Sequence, residues 1–394
     1  MGKRYAILGS GRQGTAAAYD IARFGAPEAL LLADANLERA HAAAERVCEF
    51  FPEVPVDPMP LDASDGRKLR RLLEAERVDI LLSGLPYAYN LAVTRTAILA
   101  GVSMVDMGGN TEITRQQLAL DSEARVAGAA LVPDCGMGPG MNVSLLAYAM
   151  AQMDEPRHAY VYEAGLPLNP EPPWNYALTF HIAGLTNEYT GEATFLREGG
   201  LVSVRALEGP EDVEIPELGT LEARVTSGGL STAPWAFQGI LQTLENKTLR
   251  YPGHWDQIEA FRDLGLLEES PIEVDGSEVI PRHVFHALFE PQVATDSIHD
   301  IAVIHVRVLG TRNGAPAEVI VNLVDRYDEA TRFTAMERVT GWHASIMVQL
   351  IAAGEIPAGV HSVESAIPPR RVVEEARRRG LNIRLAGAPP VSES

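Results

Sequence analysis

The chain has 394 residues, with 33 Lys and Arg against 53 Asp and Glu, a formal charge of −20. That balance excludes a nucleic-acid binder, which carries a basic footprint, and argues against docking on an anionic bilayer face. Apolar residues make up 46%, enough for substantial cores and too many for a disordered chain.

Two cysteines, Cys48 and Cys135, cannot build a disulfide framework or a cysteine-based zinc site. No apolar run reaches the roughly 18 residues of a membrane span. The chain enters its first apolar run at Tyr5 with no leader ahead of it, so a cytoplasmic protein is expected.

Up to residue 135, short apolar runs (5–8, 29–33, 54–61, 78–82, 102–106 and 130–133) alternate with amphipathic stretches (12–24, 37–50, 66–76, 91–100 and 114–128). Six strands with five crossovers of these lengths predict an α/β fold built on a doubly wound parallel sheet. Pro55, Pro58 and Pro60 remove ladder donors and put the third strand at an edge. A helix is expected over 141–153. Beyond it, Tyr-, Val- and Thr-rich segments alternate with loops and with helices near 236–244, 254–264 and 281–289, an α+β pattern. The clearest signal is a hairpin, 301–309 with 318–327, turning at Asn313-Gly314. Helices at 341–353 and 369–379 close the chain.

The predicted organisation is a dinucleotide-binding domain over 1–140, an inserted α+β substrate and dimerisation domain over 141–335, a helical return to the first domain over 336–382 and a flexible tail over 383–394. The cleft between the two domains is expected to hold nicotinamide and substrate.

Gly9-Ser10-Gly11-Arg12-Gln13-Gly14 follows the first strand and opens the first helix. In that setting G-x-G-x-x-G signals a Rossmann dinucleotide site. Gly9 makes the turn, Gly11 admits the diphosphate and Gly14 lets helix and strand approach. The diphosphate sits at the helix N-terminus, where N–H groups and the dipole favour anions. Asp34 ends the second strand, where a carboxylate takes both ribose hydroxyls of NAD and repels the extra phosphate of NADP; nearby Arg39 keeps NADP open. Later strand ends supply Asp62 towards the adenine, and Ser83, Gly84, Leu85 and Pro86 along the nicotinamide ribose. Tyr87 points towards the substrate. His181, His305 and His343 have no metal-binding spacing, and no metal is expected.

The sixth strand runs into Pro133-Asp134-Cys135-Gly136-Met137-Gly138-Pro139-Gly140-Met141. With the dinucleotide fold before it, this pattern resembles the saccharopine dehydrogenase/L-lysine 6-dehydrogenase family, most closely its L-lysine 6-dehydrogenase branch. Further matches are YVYEAGLP over 160–167, Glu171-Pro172-Pro173, Thr226-Ser227-Gly228-Gly229, the segment from Lys247 to His254, and 334–340.

The resemblance implies NAD-dependent oxidative deamination of the ε-amine of L-lysine, giving 2-aminoadipate 6-semialdehyde. It also implies a homodimer or higher homo-oligomer whose partner is a small amino-acid substrate. In that reaction Asp106 or Asp134 receives the substrate ammonium or acts as base, although either could instead cap a helix or brace a loop. Tyr87 relays a proton or orients the amine. Arg250 anchors the α-carboxylate, flanked by Lys247 and His254. Two other readings stay open. One is a saccharopine- or carboxynorspermidine-type secondary-amine dehydrogenase using NAD(P), with Arg197 and Arg250 as carboxylate anchors. The other is a non-catalytic dinucleotide-binding protein.

Overall fold

The computed structural model describes residues 2–295 and 298–386. In chain order the first half gives β1 (Arg4–Leu8), α1 (Arg12–Phe24), β2 (Ala29–Asp34), α2 (Leu37–Phe50), β3 (Val56–Pro60), α3 (Gly66–Ala75), β4 (Ile80–Ser83), α4 (Asn90–Ala100), β5 (Ser103–Asp106), α5 (Thr111–Leu118), α6 (Asp121–Ala127), β6 (Ala130–Val132) and α7 (Met141–Met150). Then follow β7 (Glu155–Pro167), α8 (Ile182–Glu188), β8 (Glu192–Arg197), β9 (Gly200–Arg205), β10 (Glu211–Ile215), β11 (Gly219–Arg224), α9 (Ala233–Ala236), β12 (Thr243–Arg250), α10 (His254–Asp263), β13 (Ile272–Val274), β14 (Ser277–Val279) and α11 (Pro281–Val293). The chain ends with β15 (Asp300–Arg312), β16 (Ala315–Arg326), α12 (Ala335–Ala352), β17 (Gly359–Val360), α13 (Val363–Ala366), α14 (Pro369–Arg378) and β18 (Ile383–Ala386). None of these helices is long and apolar enough to cross a membrane.

Contacts divide the chain into two units. The first holds residues 2–151, Leu230–Ala236 and Glu337–Ile383; the second holds Gln152–Gly229, Phe237–Met336 and residues 384–386. The first unit is a seven-stranded parallel sheet in the order β17-β6-β5-β4-β1-β2-β3. The order reverses at β1 and β4, the point where doubly wound sheets bind ligands. Proline-bearing β3 pairs only with β2 and forms the edge. The central strands are mostly apolar because helices cover both faces, and Ala6, Leu31, Leu81 and Met104 pack with Leu69, Leu73, Val93 and Ala97 of α3 and α4. Side chains cap several helices: Asn36 for α2, Asp65 for α3 and Asn110 for α5 each accept from backbone N–H groups one turn in.

Several expectations are corrected. The single helix over 114–128 is two, α5 and α6, broken at Ala119–Leu120. The seventh strand, β17, comes from the end of the chain, and at two residues it is too short to leave a periodic signal. The helix expected near 236–244 is the short α9 followed by turns, because Thr243 already starts β12. Residues 141–151 and Leu230–Ala236, assigned by sequence to the inserted domain, cluster with the first unit. In α7 nearly every residue is buried, and α13 and α14 of the same unit pack on it. Of the expected tail, 383–386 form β18 and 387–394 lie outside the described residues.

The second unit is a mixed sheet in the order β10-β11-β12-β7-β15-β16-β18, with β8 joined to β12 and carrying β9. Buried β7 runs parallel to β12 and antiparallel to β15. The β15–β16 hairpin closes at Asn313 and Gly314, with φ of 52° and 74°, the left-handed pair that a tight hairpin requires. A separate aromatic core, including Tyr176, Tyr189, Trp255, Phe285 and Phe289, joins α8, α10 and α11.

Candidate active site

The turn from β1 into α1 is shaped by contact. Gly9 has φ +87° and its N–H donates to Ala33 O at 2.8 Å. A Cβ at Gly14 would lie 2.0 Å from Gly9 O, whereas a Cβ at Gly11 would meet nothing within 4 Å. So Gly14 is demanded by the fold, and Gly11 leaves open space beside the backbone. No side chain caps α1, and Ser10 Oγ is buried without a partner. Arg12 is exposed and Gln13 half-buried on the first turn.

Asp34 Oδ2 accepts from Ser10 N at 2.9 Å and its Oδ1 from Asn36 N at 2.8 Å, so the carboxylate stands beside the glycine turn with lone pairs to spare. An uncapped helix head, an open glycine and an orphaned hydroxyl fit a bound diphosphate.

The neighbouring loops are uneven. Gly84 N donates to Leu8 O at 2.8 Å, and a Cβ on Gly9 would sit 2.8 Å from Gly84 O and 3.4 Å from the Leu85 side chain. Ser83, expected to line the ribose, is fully buried and donates to Asn90 Oδ1 at 3.1 Å. Its side chain therefore braces the loop. Pro86 leads into a short 3₁₀ turn whose Tyr87 packs over Gly109. Asp62 is exposed and accepts from Ser64 N at 2.9 Å and Ser64 Oγ at 2.6 Å, which holds its carboxyl below the usual range.

At the carboxyl ends of β5 and β6 two carboxylates are buried together. Asp106 Oδ1 accepts from Gly108 N at 2.8 Å and from Asp134 N at 3.2 Å, and its Oδ2 from Gln117 Nε2 at 2.6 Å. Asp106 therefore braces the loops. Asp134 has φ +62°, a left-handed conformation uncommon for a residue with a side chain. Its Oδ1 accepts from Thr114 Oγ1 at 3.0 Å and its Oδ2 from Ser231 Oγ. Burial, and then the Asp106 charge, push the Asp134 carboxyl up to about 7, while burial raises Asp106. Among the described residues both accept only from neutral donors. Cys135 is buried, with its thiol raised by burial. His343 is buried against Ser144 Oγ at 3.1 Å, and burial lowers it to about 4.

The predicted substrate cations lie in the second unit and do not converge. Lys247 and Arg250 are three residues apart on β12, and strand alternation sends them to opposite faces. Lys247 Nζ pairs with Glu211 at 2.6 Å. Arg250 is 3% exposed; its Nε donates to Tyr189 OH at 3.2 Å, its Nη1 to Leu249 O at 3.0 Å, and its Nη2 lies 3.6 Å from Glu188. The Tyr176, Trp255 and Tyr189 rings surround the guanidinium at 5.2, 5.6 and 5.8 Å. His254 Nε2 meets Tyr189 OH at 3.0 Å, and burial and Arg250 push the imidazole down to about 3. Burial pushes Glu188 up to about 7.

Sequence reasoning missed Thr114, Gln117, Ser231, Thr232 and Glu364. Only Thr114 and Gln117 carried a signal, three apart on one face of a helix that begins after a strand end. Among the described residues no group of three or more His, Cys, Asp or Glu could hold a metal ion.

Two family models match, the saccharopine dehydrogenase NADP binding domain over residues 5–132 and the saccharopine dehydrogenase C-terminal domain over 136–381. The chain belongs to the saccharopine dehydrogenase family. Apo saccharopine dehydrogenase (L-Glu forming) from Saccharomyces cerevisiae superposes with a TM-score of 0.79 at 18% identity, over 98% of this chain and 100% of that one, and shares the fold. An engineered D-amino acid dehydrogenase (TM-score 0.45, 16% identity, 94% and 96% of the two chains) is a weaker match. So is GenD2 from gentamicin A biosynthesis in complex with NAD (0.42, 10%, 99% and 97%). Scores below 0.5 do not equate these folds with this one. Family membership makes the chain an NAD(P)-dependent oxidoreductase, with a dinucleotide-binding domain over residues 5–132.

Proposed function

We propose that this saccharopine dehydrogenase family member oxidises the ε-amine of L-lysine with NAD, giving 2-aminoadipate 6-semialdehyde and ammonia. The observation that carries this reading is the buried Asp106–Asp134 pair at the carboxyl edge of the sheet, held by neutral donors only. Such a pair suits an incoming ammonium and offers a base whose proton affinity lies near neutrality. The glycine turn, Asp34 and the loops around Gly84–Pro86 would hold the dinucleotide; when bound, its nicotinamide supplies the hydride acceptor. Asp134 takes a proton from the substrate ammonium, Asp106 fixes the loop that carries Asp134, and Tyr87 stands on the neighbouring loop to orient the amine. Water adds to the resulting imine, and ammonia leaves.

The secondary-amine reading draws on the family name, since saccharopine carries three carboxylates and needs several cationic anchors. Against it, Arg197, Lys247 and Arg250 are each already engaged with a carboxylate, namely Glu245, Glu211 and Glu188. Purified protein incubated with NAD⁺ and separate amines is expected to form NADH with L-lysine. Turnover of saccharopine without turnover of lysine would overturn the assignment.

For the cofactor, Asp34 supports NAD, while the matched family model is named for NADP. Asp34→Asn removes the negative charge but keeps an oxygen for the Ser10 N–H. The ratio of kcat/KM for NADP⁺ over NAD⁺ is expected to rise about tenfold, equivalent to about 1.4 kcal/mol. An unchanged ratio would remove Asp34 from cofactor choice.

A further inference from the structure

Leu230–Ala236 belongs to the first unit, although the residues on either side of it belong to the second. Its two consecutive hydroxyl residues each hold a carboxylate from a different element. Ser231 Oγ donates to Asp134 Oδ2 in the loop after β6, and Thr232 Oγ1 donates at 3.2 Å to Glu364 Oε1 on α13. Thr114, Asp134, Ser231, Thr232 and Glu364 together line one cavity of about 10 Å³, roughly the space of a single water molecule.

We propose that Ser231 and Thr232 are positioning residues that hold Asp134 and Glu364 as one coupled proton-exchanging pair, with Asp134 the member that meets the substrate amine. The proposal rests on the reading of Asp134 as the base. Two carboxylates around one small cavity, held by hydroxyls and, for Glu364, also by its own backbone N–H, disfavour double ionisation, so the charge on one sets the proton affinity of the other. Burial raises both, and Glu364 adds to the rise at Asp134.

The other titratable or charged groups near the pair are Asp106 at the end of β5, buried Cys135 in the same loop, and His343 on α12, which burial keeps neutral. Arg115 on α5 is turned onto the Trp235 ring at 5.1 Å and paired with Glu112 at 3.8 Å. In the exchange an ammonium N–H bond breaks, an O–H bond forms on Asp134, and the electron pair stays on nitrogen. The proton returns to solvent after product leaves.

The test is the pH profile of kcat/KM for L-lysine in the full-length enzyme. Glu364→Gln is expected to move the acid limb to lower pH by about one unit, because a like charge is gone. Ser231→Ala should move it the other way, because the hydroxyl supports the ionised carboxylate, and Ser231→Thr should restore it. If Ser231→Ala fails to fold, Thr232→Val serves, with a smaller shift in the direction of Glu364→Gln. A residue that only held the fold would lower activity without moving the limb.

Carboxyl titration by ¹³C NMR, which needs no substrate, separates the two claims. If Asp134 titration shifts with each variant but no amine is oxidised, the lysine reading fails and the pair stands. If lysine turns over while neither the limb nor the titration moves in Glu364→Gln, or if Glu364→Gln and Ser231→Ala shift both in one direction, the pair is overturned.

Discussion

Asp134→Asn is expected to lower kcat for lysine oxidation by about 10²–10⁴-fold, the range a positioned general base supplies. Affinity for NAD⁺ should be unchanged, because the glycine turn, Asp34 and Gly84 make no contact with Asp134. The wild-type acid limb should fall where Asp134 titrates, which burial and Asp106 place at about 7.

The same variant separates lost chemistry from lost structure. The Asp134 carboxyl is raised in the folded state above its unfolded value of roughly 4, so the folded chain holds that proton more tightly. Ionising it therefore costs stability as pH rises from about 4 through about 7. A neutral amide removes that cost, and the Tm of Asp134→Asn at pH 8 should equal or exceed that of the wild type. Retained activity would remove Asp134 from catalysis. A marked fall in Tm would assign the loss to folding instead.

Arg379→Met is expected to destabilise the protein by about 3–5 kcal/mol, the usual cost of stripping one partner from a buried ion pair. Arg379 Nε donates to Asp20 Oδ2 at 2.8 Å, and both side chains are 0% exposed. The same oxygen accepts from Ser345 Oγ at 2.6 Å and from Gln349 Nε2 at 3.2 Å, and Arg379 Nη1 reaches Glu375 at 2.7 Å. Asp20 lies on α1, the helix that starts at the glycine turn; Ser345 and Gln349 lie on α12, and Arg379 follows α14. The network thus ties the end of the chain to its first helix.

Without the guanidinium, Asp20 stays buried with only neutral donors. Urea unfolding should show the midpoint fall, and Asp20→Leu combined with Arg379→Met should recover most of the loss, since an apolar pair of similar volume often matches a buried ion pair. A double variant as unstable as the single would mean that packing around Phe24, over which Arg379 lies at 4.5 Å, is the larger contribution.

Some of this was legible from residue order. The glycine turn with Asp34, proline-marked β3 at the edge and the Asn313-Gly314 hairpin rest on interactions within a few residues or on one backbone preference. The opposite facing of Lys247 and Arg250 follows from strand alternation on β12, a strand the sequence reading did not assign, so their shared motif invited them to be read as one anchor. Arg250 was read from its motif as a carboxylate anchor, and its burial and surroundings were not legible, because Tyr176, Glu188, Tyr189 and Trp255 reach it from other segments of the chain.

By itself the sequence determined the α/β class, the parallel sheet and the glycine turn, since periodicity and backbone-restricted residues act locally, and its motifs carried the family resemblance. Only the tertiary structure decided which carboxylates share a site and which cations are already engaged. Ser231 is 97 residues from Asp134, and Thr232 is 132 from Glu364. The proton affinity of a buried acid depends on what folding removes from water and brings within a few ångströms, and no local pattern encodes that distance.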